Sequence, residues 1–167
     1  MSFLSDRIQR IKPSATLAVT QKANELKEKG YDVISLSAGE PDFDTPNSIK
    51  QASYEAIEKG HTKYSNIDGI PALKKAIQKK FLSENKMSYE LNEIMVTPGV
   101  KFGLYAALMA TVNAGDEVII PTPYWPSYTD MVLVANGAPI IVPCPTLKLT
   151  PDLLEHHITP KTKWVSS

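Results

Sequence analysis

Thr97-Pro98-Gly99-Val100-Lys101 is the stretch best suited to hold an anion, lying between the apolar run Glu93-Ile94-Met95-Val96 and the helix-like run from Phe102 to Val112. The first turn of a helix carries backbone N–H groups without intrahelical acceptors and a partial positive charge, and together these suit a phosphate. Gly99 has no side chain to keep such a group off the backbone. Strand, glycine and helix also follow one another as a plain connection in α/β proteins, so the surrounding chain has to decide between the two uses. Other chemistry is poorly provided for. The single cysteine, Cys144, sits in Val142-Pro143-Cys144-Pro145 with no base nearby in sequence, which excludes an intramolecular disulfide and points to a structural thiol. His61, His156 and His157 stand in no ligand pattern, so no metal site is expected.

The chain must then supply elements to position that turn. Its 167 residues suffice for one core. Lys+Arg and Asp+Glu are equal at 18 each, leaving no global field to attract nucleic acid or an anionic membrane. No apolar run approaches the roughly 18 residues of a membrane span, and Met1-Ser2-Phe3-Leu4-Ser5-Asp6-Arg7 lacks the layout of a signal peptide. The expectation is a cytoplasmic protein with neither kind of partner.

Through about Pro13 the sequence reads as an arm without a packed element. Ser14-Ala15-Thr16 opens a helix that ends at Lys27, Lys29 and Gly30, and Val33-Ile34-Ser35-Leu36 reads as a short strand. Thr45 as N-cap and Pro46 as first helical residue start a second helix, closed by Gly60. A third begins at Asp68-Gly69-Ile70-Pro71, where Leu73, Ile77 and Phe81 mark the core face and Lys74, Lys75, Lys79 and Lys80 the solvated one. Glu93–Val96 reads as a strand, and the apolar helix after it should be buried on most sides. Glu117–Pro121 is β-branched, as expected of an inner parallel strand. A helix from Tyr124 to Asn136 stopped by Gly137, the strand Ile140–Val142, a short helix from Thr150 to His157 and the strand Lys163–Val165 complete the series.

Strands alternating with helices imply an α/β fold with a doubly wound, mainly parallel sheet and helices on both faces. The last strand reaches Ser166-Ser167 without a cap, so an uncovered sheet edge and poor solubility are expected of the chain by itself.

Several segments together carry a resemblance. They are Lys12-Pro13-Ser14-Ala15-Thr16, Ser37-Ala38-Gly39-Glu40-Pro41-Asp42-Phe43-Asp44-Thr45-Pro46, Lys63-Tyr64, Gly69-Ile70-Pro71-Ala72-Leu73, Thr97–Lys101, Gly115-Asp116-Glu117-Val118 and Pro123-Tyr124-Trp125-Pro126-Ser127-Tyr128. In this order and spacing the sequence resembles the fold-type I, pyridoxal-phosphate-dependent aminotransferases, most closely the bacterial aspartate aminotransferase branch, over its N-terminal portion. The resemblance implies an arm and part of a small domain over residues 1–45, and the first part of a large cofactor-binding domain over 46–167.

It also implies roles. Gly99, Val100 and Lys101 match the turn that holds the phosphate of pyridoxal 5'-phosphate; Lys101 also matches a lysine facing the distal carboxylate of a dicarboxylic substrate, and is otherwise an ordinary exposed lysine. Trp125 matches the aromatic that stacks on the pyridine ring, near the substrate, and is otherwise a core tryptophan. Gly39 matches the residue whose backbone approaches the substrate carboxylate. Tyr64 matches a tyrosine that reaches the partner's cofactor phosphate across a homodimer, and is otherwise a loop aromatic. Lys12 matches a lysine associated with prephenate, against a solvated arm lysine, and Thr16 with Ser14 would lie near the same pocket.

The family's Schiff-base lysine, its aspartate on the pyridine nitrogen and its substrate-carboxylate arginine match nothing in residues 1–167, so no catalytic residue is assigned and these residues alone are expected not to transaminate. The function implied is that of the N-terminal portion of an aspartate aminotransferase moving an amino group from aspartate, glutamate or a prephenate-derived amino acid to a 2-oxo acid. The alternatives are part of another fold-type I enzyme, or a non-catalytic remnant or assembly partner from a truncated or split gene.

Overall fold

In the computed structural model, which describes residues 3–166, side-chain caps open the helices that follow Ser14 and Thr150, and glycines at positive φ follow those that end at Glu28 and Glu58. The arm contains one turn of helix, α1 (Asp6–Gln9), where no packed element was expected. Its end is tied by Arg10, whose Nη1 donates to Asn136 Oδ1 at 3.5 Å. Helix α2 (Ala15–Glu28) starts where Ser14 Oγ accepts from the Leu17 N–H at 3.4 Å, and it stops before Gly30 at φ +85°. Residues 33–36 are not a strand. No strand runs beside them, and Ile34 and Leu36 stay exposed. Helix α3 (Asn47–Glu58) begins one residue later than expected, with Pro46 as the cap and no side-chain bond at its start.

Helix α4 (Pro71–Lys80) has proline at its start and continues as a π-helical turn, Phe81–Asn85, closed by Lys86 in the left-handed region. Its faces differ from the expectation. Leu73 is exposed, whereas Lys74 is only 7% exposed and forms an ion pair with Asp68. Ile77 and Phe81 are partly buried, and Phe81 meets Tyr89 edge to face at 5.5 Å. The expected strand 93–96 is also absent: Leu91–Glu93 is a 3₁₀ turn, and the following residues run extended with no neighbouring strand. The Val96 N–H donates instead to the Asp68 carbonyl at 3.0 Å.

By their contacts, Ser14–Thr97 form one compact unit, and the residues up to Pro13 together with those from Pro98 onward form another. The second unit holds helix α5 (Val100–Thr111), strand β1 (Glu117–Pro121), helix α6 (Ser127–Val134), strand β2 (Ala138–Val142), helix α7 (Pro151–Glu155) and strand β3 (Thr162–Val165). The sheet order is β2-β1-β3, and β1 is parallel to both neighbours, with Ile119 opposite Ile140 on one side and Val165 on the other.

Alternation along β1 sends its side chains into two cores. Val118 and Ile120 join Leu108 and Val112 of the α5 segment and Met131, Val132 and Ala135 of the α6 segment. Ile119 joins Val142 and Cys144, covered by Leu149 and by Leu153 and Leu154 of α7. Helices thus cover both faces, as an α/β sheet requires. Burying each of these β1 side chains, all at 1% exposure or less, contributes about 1.5–3 kcal/mol.

Helix α5 departs from the expectation of all-round burial, since Phe102, Tyr105 and Met109 are exposed and Leu108 is its only buried residue. The stop after α6 is made by Asn136 at φ +63°, not by Gly137. Gly137 is needed for space instead, because a Cβ there would lie 2.7 Å from Val112 Cγ1.

Candidate active site

The turn before α5 has the form an anion seat requires. Gly99 sits at φ +94°, a conformation that side chains strain, and nothing lies within 4 Å of where its Cβ would be. No side chain caps the helix that follows. The first-turn N–H groups of α5, a helix of twelve residues, are the donors such an anion would meet. Val100 is exposed, and Lys101 projects its Nζ over the Trp125 ring, 4.8 Å from the centroid.

Trp125 lies in the short connection between the end of β1 at Pro121 and the start of α6 at Ser127. The residue is 41% exposed, so it is not a core tryptophan. Tyr128 stands against it edge-on, with centroids 5.6 Å apart at 83°. A groove of about 430 Å³ runs beside the pair, with Pro123, Tyr124, Cys144 and Leu149 in its walls. The arrangement offers a flat aromatic surface, a cation and a helix start: the elements needed to hold an anionic aromatic molecule.

Cys144 is 5% exposed, with its Sγ directed to the Val142 carbonyl at 3.5 Å and its N–H to Thr122 Oγ1 at 3.2 Å, a packing role as expected. The side chains of His156 and His157 bond to backbone carbonyls of their own helix, and among the described residues no three His, Cys, Asp or Glu side chains cluster as metal ligands. No described helix is long and apolar enough to cross a membrane.

In the unit formed by Ser14–Thr97, Gly39 lies in an exposed loop with open space over its Cα. That loop is approached by a chain of hydroxyls: Thr20 Oγ1 donates to the Thr16 carbonyl and reaches Ser37 Oγ at 3.0 Å, which in turn meets Ser35 Oγ. Tyr64 is fully exposed. Lys12 belongs with the other unit and is exposed as well. Gly99, Lys101 and Trp125 are therefore the expected residues that the structure brings together.

Residues 31–166 match the family described as aminotransferase class I and II. The chain belongs to that family. Class I and II aminotransferases generally use pyridoxal phosphate and act on small molecules. The chain is 57% identical over 167 residues to the aspartate/prephenate aminotransferase of Cereibacter sphaeroides, covering 98% of this chain and 42% of that protein. It is 55% identical over 168 residues to a probable aspartate/prephenate aminotransferase of Rickettsia bellii, covering 99% of this chain and 42% of the relative. The structure of the Thermus thermophilus aspartate aminotransferase with maleate superposes with a TM-score of 0.94 at 44% identity, over 99% of this chain and 44% of that one. The chain thus spans about two-fifths of the length of these aminotransferases.

Sequence reasoning did not single out Tyr128 as the edge contact of Trp125, or Leu149 as part of the groove wall. Tyr128 lies three residues after Trp125, in the first turn of α6. Leu149 lies beyond β2, and nothing local marks it.

Proposed function

We propose that residues 1–167 are the N-terminal portion of an aspartate-type aminotransferase that also accepts prephenate, with residues 1–45 in its arm and small domain and 46–167 in its large domain. The observation that carries the reading is the positive-φ turn at Gly99 that leads into α5, beside the Lys101–Trp125 pair. The names of relatives at 55–57% identity, and the dicarboxylate maleate in the Thermus structure, support the substrate class.

Pyridoxal 5'-phosphate fits this site: the open turn suits its phosphate and the half-exposed indole its flat ring. When bound, the cofactor supplies an electron sink that stabilises negative charge at the substrate α-carbon. The chain's own residues bind and orient. The Gly99, Val100 and Lys101 backbone would hold the phosphate, and Trp125 would fix the plane of the ring. Lys101 would also receive the distal carboxylate of an acidic substrate. The Gly39 backbone would meet the α-carboxylate, with Lys12, Ser14 and Thr16 at the same pocket. Tyr64 would serve the partner's phosphate in a homodimer, and the setting would be cytoplasmic, without nucleic acid or membrane. No proton-transferring group is assigned within residues 1–167.

Joining residues 1–166 to the remaining portion of the Cereibacter sphaeroides enzyme tests the reading. The chimera should bind pyridoxal phosphate and transaminate aspartate, while that remaining portion alone should not. A folded, cofactor-loaded chimera without activity would overturn it.

A further inference from the structure

Trp125 needs more than a backbone to fix its plane, because about two-fifths of its surface faces solvent and an exposed indole retains rotamer freedom. Two contacts limit it. Tyr128 packs against the indole in a T-shaped arrangement with centroids 5.6 Å apart, and the Lys101 ammonium lies 4.8 Å from the ring centroid, on the negative face of the π-system. The lysine comes from the second residue of α5 and the indole from the segment just before α6, so the contact also joins the phosphate turn to the aromatic. We propose that Lys101 is a positioning residue for Trp125, holding the indole ready for the cofactor ring. Its contribution to cofactor affinity is made through Trp125, not by attracting the phosphate directly.

This rests on the reading of Trp125 as the stacking residue, and the test separates the two. Pyridoxal-phosphate dissociation constants are measured by titration for the full-length wild type, K101M, K101R, W125L and the K101M/W125L double variant. Near-UV circular dichroism of the cofactor-free proteins is recorded alongside, and the W125L difference spectrum identifies the Trp125 band. An exposed cation–π contact of about 0.5–1 kcal/mol corresponds to a rise of about 2- to 5-fold in the dissociation constant for K101M. The same variant should weaken the Trp125 band, and K101R should restore both. In the W125L background K101M should have no further effect on affinity, the mark of two residues acting as one. Additive effects in the double variant, an unchanged Trp125 band, or tighter binding by K101M would overturn the proposal while leaving the site reading intact. Wild-type affinity in W125L would overturn the site reading, and the proposal with it.

Discussion

Lys74 is buried on α4 and ion-paired with Asp68, whose own side chain is 43% exposed. The burial is unequal, so the two halves of the pair should respond unequally to substitution. D68N leaves an ammonium in a nearly dry position without its carboxylate, whereas K74M keeps the aliphatic packing and returns Asp68 to water. Thermal unfolding should show D68N lowering the midpoint more than K74M. The reverse order would mean that the carboxylate is the poorly solvated partner.

The same pair sets a pH dependence. The hydrogen bond from Lys74 holds the Asp68 carboxyl below its ordinary value, with the lysine's charge adding to the effect and burial opposing it. A carboxyl depressed on folding stabilises at pH values above its unfolded value and loses that contribution as pH falls through the lowered one. Between neutrality and pH 5 the pair should therefore contribute steadily, and below about pH 4 the difference between wild type and D68N should shrink. Unfolding midpoints recorded across that range check it.

Gly69 and Gly137 should resist substitution for different reasons. At Gly69, φ is +105° and a Cβ would sit 2.7 Å from Val96 Cγ2, so G69A meets both backbone strain and a clash. At Gly137 there is crowding without backbone strain, since its φ is not left-handed: a Cβ would lie 2.7 Å from Val112 Cγ1 and 3.1 Å from Val132 Cγ1. Overpacking alone costs about 1–3 kcal/mol. Trimming the neighbour should relieve G137A, so V112A should rescue part of its loss in a denaturant titration.

At Gly99 the space is open and only the backbone objects. G99A should cost about 1–3 kcal/mol through its positive φ, and a shifted turn should weaken pyridoxal-phosphate binding several-fold. Equilibrium titration reads this directly, and a G99A protein with unchanged affinity would separate the turn from the phosphate.

Cys144 should react slowly with thiol reagents in the native protein and fully in denaturant. Its sulfur is buried between β1 and the loop after β2 and has no activating base. A fast native reaction would contradict the packing role.

Periodicity and caps made parts of both halves of the chain legible. Ser14, Thr150, Gly30 and the β-branched run at Val118–Ile120 each report on their immediate neighbours, and each is where the sequence placed it. Errors arose where distant partners decide. Residues 33–36 and 94–96 have strand-like composition, but a strand exists only beside another strand, and the described residues supply none. Lys74 looked solvated because three other lysines surround it in sequence, and Asp68, six residues earlier, is what makes its burial tolerable. At the candidate site, Gly99, Lys101 and Trp125 were legible as residue types. The lysine–indole contact was not, since it depends on how α5 and the β1–α6 connection pack.

Strand β1 gives consecutive residues to separate cores, Val118 and Ile120 to one and Ile119 to the other. It therefore works like a zip with teeth on both sides, and its reading frame is fixed: inserting or deleting one residue within Glu117–Pro121 would exchange the two sets of side chains. The same displacement would move Trp125 relative to the α5 turn, so the frame of this one strand also sets where the aromatic meets Lys101.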